Sequence, residues 1–256
     1  MKGFVALAAM FLSLSTSAFP QAPSPASQDS KPAPSTKALP AADKVLDNYI
    51  KAIGGREAWK KLTSRISTGT IDVPAMNLSG TIEIREKAPD RVVATITFNS
   101  AKFRQGYDGA AGWTDDTQNG LREQTGAELT ETKRDADFYH PLDLHQLYSS
   151  FTVKGVEKIG ERDAYAIEAQ SPTGGTDQMY FDVESGLVVR IAGQHHTPDG
   201  VVAFTEDLGD YREVDGVKLP FSVHQSSADS SFSIQFSEIR HNVSLPDSDF
   251  SKPVAP

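Results

Sequence analysis

The sequence predicts a mainly β protein of the α+β kind, with one large antiparallel sheet of about eleven strands, an N-terminal helix and a helical insert. Three observations predict it. Short segments that alternate apolar and polar residues, divided by turn tetrapeptides, fill most of the chain after Ser64. One stripe of helical period occupies residues 42–53. A polar stretch, residues 126–149, interrupts the strands once. No group of strands recurs as a closed unit, which favours one sheet over propeller blades.

Taken in order, the chain opens on Lys2, an apolar run over residues 4–14 and the small residues Thr16, Ser17 and Ala18. This reads as a secretory signal cut near Ala18, its apolar run too short to span a bilayer. Residues 19–41 are rich in Pro, Ala, Ser and Lys. With little to bury they cannot offset ordering entropy, so a disordered tether is expected. The folded domain is expected over residues 42–250. Its helix carries Val45, Leu46, Tyr49, Ile50 and Ile53 at spacings of three and four, and Gly54-Gly55 suit a left-handed C-cap. "REAWKKL" reads as a second short helix bringing Trp59 and Leu62 inward.

Strands follow. "NLSGTIEIRE" alternates Leu78, Gly80, Ile82 and Ile84 against polar residues, and "RVVATITF" sets Val92, Ala94, Ile96 and Phe98 on one face. "KFRQGY" leads into "GYDGAAGWTDD", whose glycines recur at Gly106, Gly109 and Gly112. A phosphate-cradling glycine loop needs a helix N-terminus behind it. Here "WTDDTQNG" reads as strand and turn, so the stretch is a hairpin corner, with Trp113 facing the sheet's interior. In residues 126–149, Leu129, Lys133 and Ala136 suggest a helix that stops before Pro141. Seven more strands, from "FTVKGVEKIG" to "SFSIQFSEIR", are separated by turns such as "GERD", "VESG", "TPDG" and "EVDG". All strands are expected in one meander.

Charge narrows the partners. Lys and Arg number 25 against 34 Asp and Glu, a net charge of -9, with no compensating basic cluster. Nucleic acid and anionic membrane surfaces are therefore excluded as expected partners. There is no cysteine, so stability rests on a core rather than on disulfides, and no thiol is available for a lipid anchor. The expected mature chain is a periplasmic or secreted monomer without a transmembrane span. Nor does chemistry announce itself. There is no G-x-S-x-G, and the acid pairs Asp115/Asp116 and Asp247/Asp249 fall in turns or the tail, where solvated carboxylates are the default. Adjacent His195 and His196 point to opposite faces of a strand and cannot share an ion, which suggests a solvated hairpin end. Pro141 breaks any helical register among His140, Asp143 and His145, leaving a loop histidine pair. No catalytic residue, metal or cofactor is expected.

The apolar interior stands out instead. One large sheet has a concave face, with one long helix and an insert to fill it, and incomplete filling makes a pocket. The expected lining is Trp59, Ile82, Ile84, Ile96, Phe98, Trp113, Phe181, Val189, Ile191, Phe204 and Phe221. The alternative is a filled core in a tethered protein-interaction or structural module. A hydrolase with an unrecognised site is the third reading.

Several short stretches occur together: "AIGGREAWKKL" (residues 52–62), "ISTGTI", "GYDGAAGW", "MYFDVESGLVVRI" (179–191) and "DYREVDGVKLPFSV" (210–223). In their order the chain resembles the outer membrane lipoprotein-sorting proteins, with the fold of LolA and LolB, over residues 42–245. The resemblance implies a strongly curved antiparallel sheet, an unclosed half-barrel, whose concave face is plugged by helices. It also implies a lipid or acylated lipoprotein as ligand and a protein partner in the envelope. No residue here matches the carrier's gating arginine, and the anchoring cysteine of the receptor type is absent.

Overall fold

The computed structural model describes residues 38–99, 101–171, 175–197, 200–228 and 230–253. The expected signal segment and residues 19–37 of the expected tether lie outside the described residues.

Thirteen strands form one sheet. Six precede the insert: β1 (Ser64–Val73), β2 (Leu78–Lys87), β3 (Arg91–Phe98), β4 (Ala101–Tyr107), β5 (Gly112–Asp116) and β6 (Gly120–Glu123). Seven follow it: β7 (Ser150–Ile159), β8 (Arg162–Gln170), β9 (Thr176–Asp182), β10 (Val188–Thr197), β11 (Gly200–Val214), β12 (Val217–Ser227) and β13 (Ser231–His241). The spatial order runs β6-β5-β4-β3-β2-β1-β13-β12-β11-β10-β9-β8-β7. The sheet is thus two meanders joined where β1 pairs antiparallel with β13, not the single meander expected. Its edges, β6 and β7, are not paired with each other, so the sheet stays open. Those edges are also the strands on either side of the insert, which therefore runs from one edge of the sheet to the other.

The glycine stretch is a hairpin corner, as its sequence implies. The Asp108 carboxylate accepts from the N–H of Ala110 at 2.9 Å and of Ala111 at 2.8 Å, and Gly109 takes φ +96°.

Register assigns the faces. Ile82 lies opposite Ile96 and Ile84 opposite Ala94, on the side that the helices cover. That inner face carries the main core. Helix α1 (Ala42–Ala52) buries Val45, Leu46 and Tyr49 there, and the Tyr49 ring meets Phe181 edge-on at 5.5 Å. Three further helices complete the cover: α2 (Arg56–Trp59), α3 (Gly126–Asp135) and α4 (Leu144–Leu147), with a 3-10 turn at His140–Leu142. On the outer face, a second cluster joins Ile66, Val93 and Trp113 to Leu245 and Phe250 of the C-terminal segment. A third, of Ala164, Ala166, Tyr180 and Val189, lies toward the other edge.

Candidate functional site

A cleft opens where α1, α2 and the insert meet the inner face of β1, β2, β12 and β13. Its position follows from the chain entering the sheet. Gly54 takes φ +108°, and a Cβ there would lie 2.2 Å from the Gly216 carbonyl oxygen. Only glycine lets the α1–α2 link lie this close to the β11–β12 turn. The Ile53 carbonyl then accepts two bonds, from the Lys218 N–H at 3.0 Å and from Trp59 Nε1 at 3.1 Å. Trp59 is thereby fixed as one wall.

The insert forms the facing wall. The Phe138 N–H donates to the Pro89 carbonyl at 2.9 Å, and the Tyr139 hydroxyl donates to the Leu62 carbonyl at 2.9 Å. These bonds set Phe138 and His140 into the cleft. The floor comes from the sheet: Arg65 and Ser67 of β1, Ile84 and Glu86 of β2, Leu219 of β12 and Ile239 of β13. Arg65 donates both Nε and an Nη to the two Glu86 oxygens at 2.5 Å, a bidentate pair only about a tenth exposed. Its guanidinium lies 5.6 Å from the Phe138 ring centre and 6.0 Å from that of Trp59.

Titratable groups surround this floor. Burial raises the Asp137 carboxyl above its ordinary value, opposed by the hydrogen bond from the Tyr139 N–H. His241 lies opposite Arg65 in the β1–β13 register, with Nδ1 3.0 Å from Asp215. Burial lowers its pKa below the ordinary 6.5, Arg65 adds to that, and the Asp215 hydrogen bond opposes it.

The cleft encloses about 40 Å³. That is room for about three waters, whereas ligand pockets usually run from roughly 300 to 1,000 Å³. On its floor Arg65 is paired with Glu86, and at its wall Asp137 accepts from the Tyr139 N–H. The arrangement seals an apolar slot. Among the described residues no group of three or more His, Asp or Glu could hold a metal ion, and no helix is long and apolar enough to cross a membrane.

Nine of the eleven residues expected to line a cavity join the main core: Trp59, Ile82, Ile84, Ile96, Phe98, Phe181, Ile191, Phe204 and Phe221. Of these, Trp59 and Ile84 line the cleft itself. The other two face away from the interior. Trp113 pairs with Gly106 and Gly106 with Val93, the face opposite to Ala94 and Ile96, so Trp113 lies outside. Val189 sits at a register shift between Val188 and Arg190 that turns it into the outer cluster. Arg65, Glu86 and Phe138 are cleft residues that sequence reasoning missed, and His140, read from the sequence as a loop histidine, lines the cleft as well. An aromatic pair within the polar "DADFYHPLDL" was the available signal for the insert. The Arg65–Glu86 pair is visible only once the register of β1 is known.

The histidine expectations change too. His195 is buried and stacked on Phe204 at 4.1 Å, and Glu131 of α3 reaches both His195 Nδ1, at 3.8 Å, and His196 Nδ1, at 2.5 Å. This end of β10 is a fastening point for the insert rather than a solvated hairpin. His140 is buried and its Nδ1 lies 3.3 Å from the Arg134 carbonyl, whereas His145 stacks edge-on against Phe151.

No protein-family model matches the sequence, and no curated protein matches it. Solved structures match the fold. A DUF1329 family protein from Desulfovibrio piger superposes with a TM-score of 0.56 at 14% identity, over 82% of this chain and 96% of that one. A LolA superfamily protein from Nitrosomonas europaea does so with a TM-score of 0.55 at 13% identity, over 84% and 99%. The chain therefore has a LolA/LolB-like fold. At these identities the likeness is one of fold, and the site must speak for function.

Proposed function

We propose that this protein is a non-catalytic carrier or sensor of the cell envelope. It lodges a lipid-like or acyl ligand between the inner face of the sheet and its helical cover. The name of the Nitrosomonas protein, a LolA superfamily member, accords with that reading. The single observation that carries it is how the insert covers the sheet. The residues that α3 buries are Thr132 and Asp135, both polar, and α4 is one four-residue turn. Beneath the insert the inner face carries the main core, with Gln105, Asp177, His195 and Glu206 buried beside it. Phe138, Leu142, Leu144 and Tyr148 anchor the rest of the insert in the core, whereas α3 buries little apolar area of its own, so this helix is displaced at low cost and an acyl chain can take its place.

The magnitudes agree. Burying a chain of about sixteen carbons is worth about 12 kcal/mol at 0.8 kcal/mol per methylene, before the losses of association and cover displacement. We further infer export by a signal segment cut near Ala18 and a tether over residues 19–41.

The test uses the two tryptophans, which the structure separates. In a Trp113→Phe chain only Trp59 reports, and Trp59 lines the cleft. Titration with a long-chain fatty acid, a phospholipid or an acylated peptide should change its emission saturably. A flat response from folded protein across all three would leave the second reading, a tethered interaction module with a filled core.

A further inference from the structure

The outer face carries a separate feature that the cleft does not explain. Residues 243–251 run across β1 to β5 without joining the sheet. Among the described residues, the backbone bonds of 244–251 are those of its own 3-10 turn: Asp249 to Pro246, Phe250 to Asp247 and Ser251 to Ser248. Its attachment is made by side chains. Leu245 and Phe250 fill the outer cluster, Phe250 completely buried, and Trp113 Nε1 donates to the Phe250 carbonyl at 3.2 Å. The pocket for the Phe250 ring exists because Trp113 lies flat over Gly106, where a Cβ would come within 2.4 Å of the indole.

Charge completes the match. The register places Arg85, Lys87 and Arg91 together on the outer face beside Ile66 and Val93. Lys87 Nζ lies 2.7 Å from Asp247, Arg91 also pairs with Asp247, and Arg85 lies 3.0 Å from Asp249. Lys87 additionally donates to the Leu245 carbonyl at 2.8 Å. In a chain of net charge -9, three cations gathered beside an aromatic socket form a local site for an acidic segment. Two apolar anchors and two carboxylates, on a backbone that adds no strand to the sheet, are the features of a docked peptide rather than of a strand.

We propose that the outer face of β1 to β5 is a docking groove for a short acidic segment of another protein, one that turns as residues 246–250 do and carries an aromatic anchor. The C-terminal segment is its resident occupant in cis. Residues 245–250, "LPDSDF", define the chemistry recognised: an apolar residue, two aspartates and a terminal aromatic. A tethered occupant competes at an effective concentration of order millimolar, so a partner must bind better than the segment it displaces. This groove and the inner cleft lie on opposite faces, and either proposal stands if the other fails.

The full chain carrying Phe250→Ala is titrated into a fluorescein-labelled peptide of sequence VSLPDSDFSK, followed by anisotropy. Saturable binding is expected, about tenfold weaker when Arg85→Gln and Lys87→Gln are added or when salt is raised to about 1 M. Binding to the unaltered chain, whose own segment competes, should also be at least about tenfold weaker. Equal affinity for altered and unaltered chains would overturn the proposal, as would indifference to the two glutamine substitutions. If circular dichroism shows that Phe250→Ala does not fold, the Asp247→Asn/Asp249→Asn chain serves as acceptor under the same criteria. A concentration-dependent dimer of the unaltered chain, abolished by loss of the Phe250 anchor, would assign the groove to a second copy and overturn it too.

Discussion

Gly106 supports the outer cluster by having no side chain. A Cβ there would lie 2.4 and 2.6 Å from the Trp113 ring and 2.8 Å from a Val93 methyl. Gly106→Ala should therefore cost about 1–3 kcal/mol in urea unfolding, as overpacking does. Gly155, on edge strand β7, has nothing within 4 Å of the same position, so Gly155→Ala should be neutral or stabilise by up to about 1 kcal/mol. A second residue-scale expectation concerns acid. Burial lowers the His241 pKa below the ordinary 6.5, so the unfolded chain binds the proton first. The stability tied to neutral His241 is complete above pH 6.5 and is lost as pH falls through its depressed folded value. A His241→Gln chain should lose less stability between pH 7 and pH 5 than the unaltered chain, compared by denaturant midpoints. At Phe181, completely buried against Tyr49, truncation to Ala should cost about 3–5 kcal/mol.

Among elements, the insert decides what the sheet can do. Its fastening on β10 is Glu131, whose carboxyl burial would raise. Hydrogen bonds from the His196 ring and the His196 N–H, with the His195 ring 3.8 Å away, outweigh that and hold the pKa at about 2, below the ordinary 4.5. The carboxylate's contribution is full above pH 4.5 and disappears as pH falls toward 2. Glu131→Gln should accordingly loosen the insert at pH 7, with faster amide exchange over residues 126–147 and little change in β11 to β13. Equal exchange in both chains would deny Glu131 this role. The elements were unevenly legible in the sequence. α1, the glycine hairpin and the strands with strict alternation could be read from period and turn chemistry. β1 escaped a strand count because Ser, Thr and Gly fill much of "SRISTGTIDV", and β6 because it is four residues long. α3 was placed by Leu129, Lys133 and Ala136, yet Lys133 is exposed and Thr132 and Asp135 are buried, so its inner side has no apolar period to find. Trp113 was assigned to the wrong face because parity passes through pairing with β4, and a one-residue difference in register exchanges the faces. The cleft was the least legible part, since Arg65 and Glu86 meet across strands and Phe138 arrives from the insert.

On the scale of the whole molecule, the two halves of the sheet meet at β1 and β13 and the insert ties the outer edges together. A ligand bound inside must move that tie while leaving the thirteen-stranded frame intact. Under the proposed function, the cleft of about 40 Å³ would be the closed form of such a site. The measurement that tests this most directly is native mass spectrometry of the protein as purified from the cells that make it. The account predicts a folded charge-state distribution carrying one lipid-sized adduct, released on activation and exchangeable for added fatty acid, phospholipid or acylated peptide. A bare polypeptide mass from freshly prepared folded protein, with no saturable adduct from any of the three, would contradict it.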